Sequence, residues 1–390
     1  MRTVRYRNSE RAVAYGIVCL VLALFFPVAY GRFDSGWMSG AFPILTVSWL
    51  ILFVSAVAQG FRRRGGLLPG LWLTVASIFG AMGPLSVIHE QRFSGSDGIA
   101  VIGRDALGIW IYVLGLGFIV WRTLSLLSEA ASGRGDVARL LGVLVPALFG
   151  VWLLYLWQVL VTGFGVPSVL LPSPVQIATV FAASTSTLWA DFYQTFLKSV
   201  LAGYALGCGS GFLVALLVDR VPFLQRGLLP LGNFVSALPI VGVAPIMVMW
   251  FGFDWQSKAA VVVIMTFFPM LVNTIAGLHA TQAMERDLMR SYAASYWQTL
   301  LQVRLPNALP FIFNALKINS TLALIGAIVA EFFGTPIVGM GFRISTEIGR
   351  MNVEMVWATI AVAAVSGSLF YGLLALAERA TTFWHPSYRQ

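Results

Sequence analysis

The chain is predicted to be an all-α integral membrane protein of about ten transmembrane helices, and three observations carry that reading. Of its 390 residues 58% are hydrophobic and only 11% charged, against about 25% charged in a soluble domain. The mean hydropathy is +0.83, and the apolar residues fall into runs of about twenty, the length that spans a bilayer as a helix. The net charge of +9 is spread over many short loops rather than gathered on one element. That spread is the signature of cytoplasmic loop bias and argues against nucleic acid as a partner.

In chain order, Met1 to Arg11 is a basic head carrying Arg2, Arg5, Arg7 and Arg11. The apolar run Ala12 to Tyr30 is long for a signal sequence and lacks a small-x-small cleavage site, so it is read as a retained first span. Further spans are expected at Ala41 to Ala58, Leu67 to Val87, Leu107 to Trp121 and Leu140 to Val161. Thr162 to Thr195 lacks Lys and Arg and contains Leu171-Pro172-Ser173-Pro174. The remaining spans are expected at Phe196 to Val218, Leu228 to Phe251, Ala259 to Leu278, Phe311 to Glu331 and Met355 to Ala377. A cytoplasmic N-terminus puts most loop arginines inside, among them Arg62 to Arg64, Arg220, Arg226, Arg286, Arg290 and Arg304. Fewer cations, including Lys258, Arg343 and Arg350, fall outside. An even number of spans with both termini cytoplasmic follows, in a protein embedded among membrane lipids.

No Gly-x-x-x-x-Gly-Lys-Ser/Thr run exists in the chain, and no convergent set of nucleophile, base and acid is legible. No catalytic residue, cofactor or metal site is therefore expected. Cys19 and Cys208 lie in apolar runs, and His89, His279 and His385 are too scattered to ligate a metal together. Gly203, Gly207 and Gly211 repeat every fourth residue, a stripe that lets helix backbones approach closely in lipid. The seventh span contains Pro230, Pro239 and Pro245. A proline-broken membrane helix either lines a pathway, with Met247, Met249 and Trp250 as an adaptable apolar gate, or is a kink packed against neighbours. Intramembrane charge falls on Lys198, Lys317 and Glu331, with Asp254 at a span end. Lys198 and Lys317 read as interfacial anchors, while Glu331 is open to either a pathway or a packing role. Phe332, Phe333, Met340 and Arg343 read as an outer rim, suited to a flat heterocycle or to an interfacial belt.

Thr281 to Pro310 is a polar interlude between two spans. Arg286, Asp287 and Arg290 lie within about one helical turn of each other, and Met284, Leu288, Tyr292 and Ser295 form a partly apolar ridge suited to a groove. The run Arg290-Ser291-Tyr292-Ala293-Ala294-Ser295, then Trp297-Gln298, then Leu305-Pro306 to Leu309-Pro310, resembles the loop of bacterial ABC-importer permeases of the nitrate/sulfonate/taurine-type branch. Leu171 to Pro174, Phe267-Phe268-Pro269 with Asn273-Thr274, and Ala327 to Gly334 are similar to further segments of that family. The chain departs from the pattern at Asp287, Met289 and Ala293, where Glu, Ala and Gly are usual.

The resemblance runs from about Leu140 to the C-terminus. It implies a six-helix type I permease core over 140–390, preceded by a four-helix membrane extension over 1–139 that ends in a basic cytoplasmic linker. It further implies a homodimer that docks two cytosolic ATPase subunits through Arg286 to Gln298 and receives solute from an extracytoplasmic binding protein. Pro239, Pro245, Met247, Met249, Trp250, Glu331 and Phe332 are the implied pathway set. The solute would be a vitamin-related heterocycle (a pyrimidine precursor or riboflavin), with a sulfonate- or nitrate-like anion as the other option. An ion-coupled secondary transporter is the competing class, but it needs paired coupling-ion ligands in the spans, and the ionisable residues are isolated in sequence.

Overall fold

The computed structural model describes residues 2–28, 43–61, 67–94, 106–133, 135–221, 238–334 and 337–384, with a few positions between 223 and 232. The end of the expected first span, the loop cations Arg32, Arg62 to Arg64, Arg104, Arg134 and Arg389, His385 and part of the seventh span before Leu238 lie outside the described residues. So do the side chains of Arg2, Arg5, Arg7, His89 and Arg92.

The described residues are overwhelmingly helical. Eight helices are long and apolar enough to cross a membrane, and shorter apolar helices cover Arg11–Ala23, Pro174–Ala183 and Ile240–Phe251. Eight of the ten expected spans thus coincide with span-length helices among the described residues, and the first and seventh overlap the shorter Arg11–Ala23 and Ile240–Phe251. Packing divides the chain into two compact units, Met1–Gln176 and Ile177–Gln390.

The first unit contains α1 (Arg2–Ala23), α2 (Pro43–Phe61), α3 (Leu67–Ser94), α4 (Leu107–Ala131) and α5 (Asp136–Gly163). Its core is centred on α4, whose Ile109, Tyr112, Leu116 and Ile119 are buried against Leu20, Leu45, Leu52 and Leu73. Polar side chains in this core reach across to backbone carbonyls, as an apolar surrounding requires. Tyr112 donates to the Gly80 carbonyl at 2.7 Å, and Trp49 Nε1 to that of Leu20 at 2.9 Å. By packing, α5 belongs with this unit; the sequence boundary at Arg139 concerns where a resemblance begins, a separate matter.

In the second unit the helices are α6 (Pro174–Ala183, begun just before the unit boundary), α7 (Thr185–Arg220), α8 (Ile240–Phe251), α9 (Trp255–His279), α10 (Ala283–Ser291), α11 (Tyr296–Glu331), α12 (Met340–Gly349) and α13 (Val353–Thr381). Two of the long helices carry π-helical turns, Tyr193–Val200 in α7 and Leu300–Arg304 in α11. The segment Thr162 to Thr195, read from sequence as lacking basic residues and containing Leu171-Pro172-Ser173-Pro174, holds α6 and the first turns of α7. The expected start of a span at Phe311 is also moved: the helix runs on from Tyr296 through Pro306 and Pro310. Pro306 occupies the first turn of its α-helical part, where the missing N–H is tolerated.

The glycine stripe seats α7 on α9. A Cβ at Gly203 would meet Val262 and the Ala259 carbonyl, one at Gly207 would meet Thr266 and Val263, and one at Gly211 would meet Met270 and the Phe267 carbonyl. Backbone-to-backbone approach of this kind replaces the hydrophobic effect as the source of helix association in lipid. Gly207→Leu should destabilise the second unit by about 1–3 kcal/mol or more through overpacking. A lowered thermal midpoint in detergent is the expected reading, and an unchanged midpoint would contradict the close approach.

Candidate functional site

The polar stretch folds as α10, a turn, and the first turns of α11. Gln282 and Glu285 form a reciprocal cap at the start of α10, with Glu285 Oε2 accepting from the Gln282 N–H at 3.2 Å. The same carboxylate oxygen accepts from Asn307 Nδ2 at 2.8 Å, which fastens α10 to α11. Ser295 and Gln298 form a second capping box at the start of α11. None of the α10 residues is buried. Met284, Leu288 and Tyr292 are 75%, 56% and 76% exposed, so the ridge expected from sequence points outward. Trp297 is exposed beside it. Arg290 pairs with Asp287 at 3.3 Å on an exposed face, a contact of small energy, and Arg286 stands in the same α10 turn.

The turn between α10 and α11 passes through Ala293 at φ +51°. This is the left-handed region, which costs an L-residue roughly 1–2 kcal/mol, and it explains why a glycine would suit the position. The Ala293 and Ala294 N–H groups bond back to the Arg290 and Met289 carbonyls at 2.9 and 3.0 Å and hold the turn closed. Ala293→Gly is expected to keep the loop's shape and to relieve about 1 kcal/mol of that strain. A rise in thermal midpoint reads this out; a fall would mean the left-handed turn is absent.

Behind the ridge is a buried polar hub that sequence reasoning did not identify. Asp219, at the end of α7, accepts two hydrogen bonds from Arg304 at 2.7 and 2.8 Å and one from the Tyr296 hydroxyl at 2.9 Å. His279, the last residue of α9, lies 3.6 Å from the same carboxylate. Arg304 also donates to the Leu278 carbonyl at 3.3 Å. Arg220 lies over the rings of Tyr296 and Trp297, with its guanidinium 5.6 and 5.9 Å from their centroids. One carboxylate thus ties the ends of α7 and α9 to the start of α11. The only sequence signal was an Asp-Arg pair closing an apolar run, because its partner lies 85 residues away.

The opposite ends of the same helices carry a second polar layer. Three consecutive backbone N–H groups at the start of α12 are each captured. Gly339 N–H donates to Asp191 at 2.8 Å, Met340 N–H to Thr195 Oγ1 at 2.8 Å, and Gly341 N–H to Glu331 at 2.6 Å. Thr195 in turn donates to Glu331 at 2.7 Å, and Arg343 Nε to Asp191 at 2.8 Å. Gly339 sits at φ +146°, and a Cβ there would strike the Glu331 carboxylate. Burial leaves Glu331 2% exposed. Lys258, counted from sequence among external loop cations, is instead buried and donates to the Phe253 and Asp254 carbonyls at 2.6 and 3.1 Å. Asp254, at the N-cap of α9, takes a hydrogen bond from Gln194 at 2.8 Å, which holds its carboxyl below the usual range. Lys317, read from sequence as an anchor reaching for water or phosphate, makes an ion pair with Glu378 of α13 at 2.7 Å. Lys198 stands over the Tyr193 ring, 5.3 Å from its centroid.

The remaining residues of the expected pathway set lie along α8 and at the end of α11, two segments that pack together through Met247 and Ala330. Pro239 caps the start of α8 and Pro245 lies within it. Met247 is buried in a cluster with Ala244, Val261 and Ala330. Met249, Trp250 and Phe332 are exposed. An apolar surface of this size on a helical membrane protein faces lipid or another protein.

The described residues thus form a bundle of long apolar helices with a short, exposed amphipathic helix mounted at its end. Residues 203–383 match the family described as binding-protein-dependent transport system inner membrane component. The chain is 32% identical over 237 residues to the riboflavin transport system permease protein RibX of Chloroflexus aurantiacus, covering 60% of this chain and 88% of the relative. It is 31% identical over 241 residues to the formylaminopyrimidine transport permease protein ThiX of Halalkalibacterium halodurans, 62% of this chain and 96% of the relative. A putative aliphatic sulfonates transport permease protein SsuC of Bacillus subtilis is 30% identical over 259 residues, 66% of this chain and 91% of that protein. The chain belongs to the binding-protein-dependent transport system inner membrane component family, as an ABC importer permease subunit. That assignment sets aside the ion-coupled secondary transporter.

The hub makes a prediction of its own. Arg304→Ala leaves the Asp219 carboxylate buried without its cation and is expected to destabilise the second unit by about 3–5 kcal/mol. Arg290→Ala, on an exposed pair, should change stability by less than about 1 kcal/mol. Thermal midpoints of the two variants in one detergent check the contrast, and equal shifts would refute it.

Proposed function

We propose that this chain works as a homodimer in an ATP-driven importer. Two cytosolic ATPase subunits dock on α10 and the turn after it, and an extracytoplasmic binding protein delivers the solute at the other end. The observation that carries this reading is the outward apolar ridge of Met284, Leu288 and Tyr292 on a helix fixed from behind. An amphipathic helix whose apolar face meets water has an unfilled partner groove, and a rigid mount is what transmits force. The docking set is Arg286, Asp287, Arg290, Ser291, Tyr292, Ala293, Ala294, Ser295, Trp297 and Gln298. With this end cytoplasmic, both termini lie in the cytoplasm and the loop cations follow the positive-inside rule.

Residues 140–390 form the permease core on this reading, and 1–139 are an added membrane region. In support, relatives such as RibX and ThiX are almost wholly covered by under two-thirds of this chain. Pro239, Pro245, Met247, Met249, Trp250, Glu331 and Phe332 flank the solute pathway, which a second copy of the chain completes around the exposed members. Glu331 contributes by fixing the α11–α12 corner. The solute is a small, flat, vitamin-related heterocycle, a pyrimidine precursor or riboflavin. The named solutes of RibX and ThiX favour this, as do the exposed Met249, Trp250 and Phe332, whose aromatic members offer stacking surfaces. A sulfonate- or nitrate-like anion is the alternative, in line with the SsuC relative.

Recovery of an ATPase subunit with the tagged chain tests the assembly. The wild-type chain, gently solubilised, is expected to bring down an ATPase subunit, and Tyr292→Arg combined with Trp297→Ala to lose it. The docking assignment fails if the double variant recovers as much ATPase as the wild type, and the importer assembly fails if neither recovers any.

A further inference from the structure

The docking helix α10 cannot hold its position unaided. It is nine residues long and buries none of them, whereas isolated helices shorter than about 12–15 residues are marginal in water. Its Glu285–Asn307 hydrogen bond fastens one end. A cavity of about 330 Å³ remains between α10 and α11, lined by Glu285, Leu288 and Met289 on one side and Gln302, Val303, Pro306 and Asn307 on the other. The one further residue on its wall is Trp384, distant in sequence and just beyond the end of α13.

The chain just before Trp384 is fixed, and the Phe383 ring packs edge-on against the indole with centroids 5.2 Å apart. Thr382, fully buried, donates through its N–H and its hydroxyl to the Glu378 carbonyl at 2.8 and 2.6 Å, closing α13 and turning the chain. The Glu378 side chain is ion-paired with Lys317 of α11. The path from the membrane-spanning helices to the flank of α10 therefore runs Lys317, Glu378, Thr382, Trp384. An indole is a large rigid body with few rotamers to lose, suited to such a contact.

We propose that Trp384 is a positioning residue for α10: a C-terminal brace, rooted in the Lys317–Glu378 pair, that keeps the partner-docking helix in register with α11 and α13. The role assigned to α10 rests on the permease reading; the place of Trp384 on the wall of the cavity beside α10 does not. It acts on α10 and touches neither solute nor nucleotide.

Hydrogen exchange of the full-length solubilised chain tests the brace directly. In Trp384→Ala the amides of Ala283–Ser291 are expected to exchange at least about fivefold faster than in the wild type, with those of α4 unchanged, as local release of one segment predicts. Trp384→Phe should restore most of the protection, and Arg379→Ala, an exposed position of α13 that is not on the cavity wall, should leave it intact. Equal exchange in Trp384→Ala and wild type, or equal acceleration in Arg379→Ala, overturns the brace. Should Trp384→Ala not accumulate, Trp384→Leu is read in the same way with the same two outcomes deciding. Recovery of the ATPase subunit, measured on the same samples, is expected to fall in Trp384→Ala and return in Trp384→Phe. Absence of ATPase from the wild type refutes the docking role while the exchange data still decide the brace.

Discussion

A charge buried away from water must find its opposite or a set of hydrogen-bond donors, and the second unit is organised by that requirement. Asp219 with Arg304 and Tyr296 closes one end of the bundle, and Asp191, Thr195 and Glu331 close the other. Between them the helices touch through apolar and small residues, with Gly203, Gly207 and Gly211 bringing α7 onto α9. In lipid, apolar packing alone gives little preference for one helix register over another. The two polar layers supply it, since a one-turn slip would separate each carboxylate from its donors.

The division of labour between the two ends is chemical. At the α10 end the hub is centred on the Asp219 side chain, met by the side chains of Arg304 and Tyr296, with Arg304 reaching the Leu278 carbonyl as well, and the exposed ridge stands in front of it. At the other end the carboxylates hold backbone N–H groups, so the sequence of the Gly339–Gly341 turn matters for its shape more than for its side chains. Lys258 follows the same logic, its ammonium spent on two carbonyls at the end of α8.

The span pattern was legible in the sequence because hydrophobic length is a one-dimensional signal. The outward ridge of α10 was legible because Met284, Leu288 and Tyr292 repeat at helical spacing, and the glycine stripe for the same reason. What escaped was pairing at a distance. Asp219 and Arg304, Asp191 and Arg343, and Lys317 and Glu378 are joined only by the fold, so Lys317 looked like an interfacial anchor. The left-handed turn at Ala293 was marked in sequence only as a departure from glycine. Alanine carries no signature of the φ it adopts, and the two closing hydrogen bonds that impose it are backbone groups.

The π-helical turn Tyr193–Val200 in α7 connects these themes. One helix must present Asp191 and Thr195 to α12 at one end and a glycine stripe to α9 further along, and these faces need not coincide under the α-helical repeat. A π turn holds an extra residue per turn and so resets the angular phase of everything beyond it. Each residue of an α-helix advances the face by about 100°. Removing a single residue from Tyr193–Val200 would therefore rotate the clasp out of line with the stripe by roughly that angle, though no contact residue had been altered. Length in this stretch is held as tightly as chemistry: the helix works as a vernier between two interfaces.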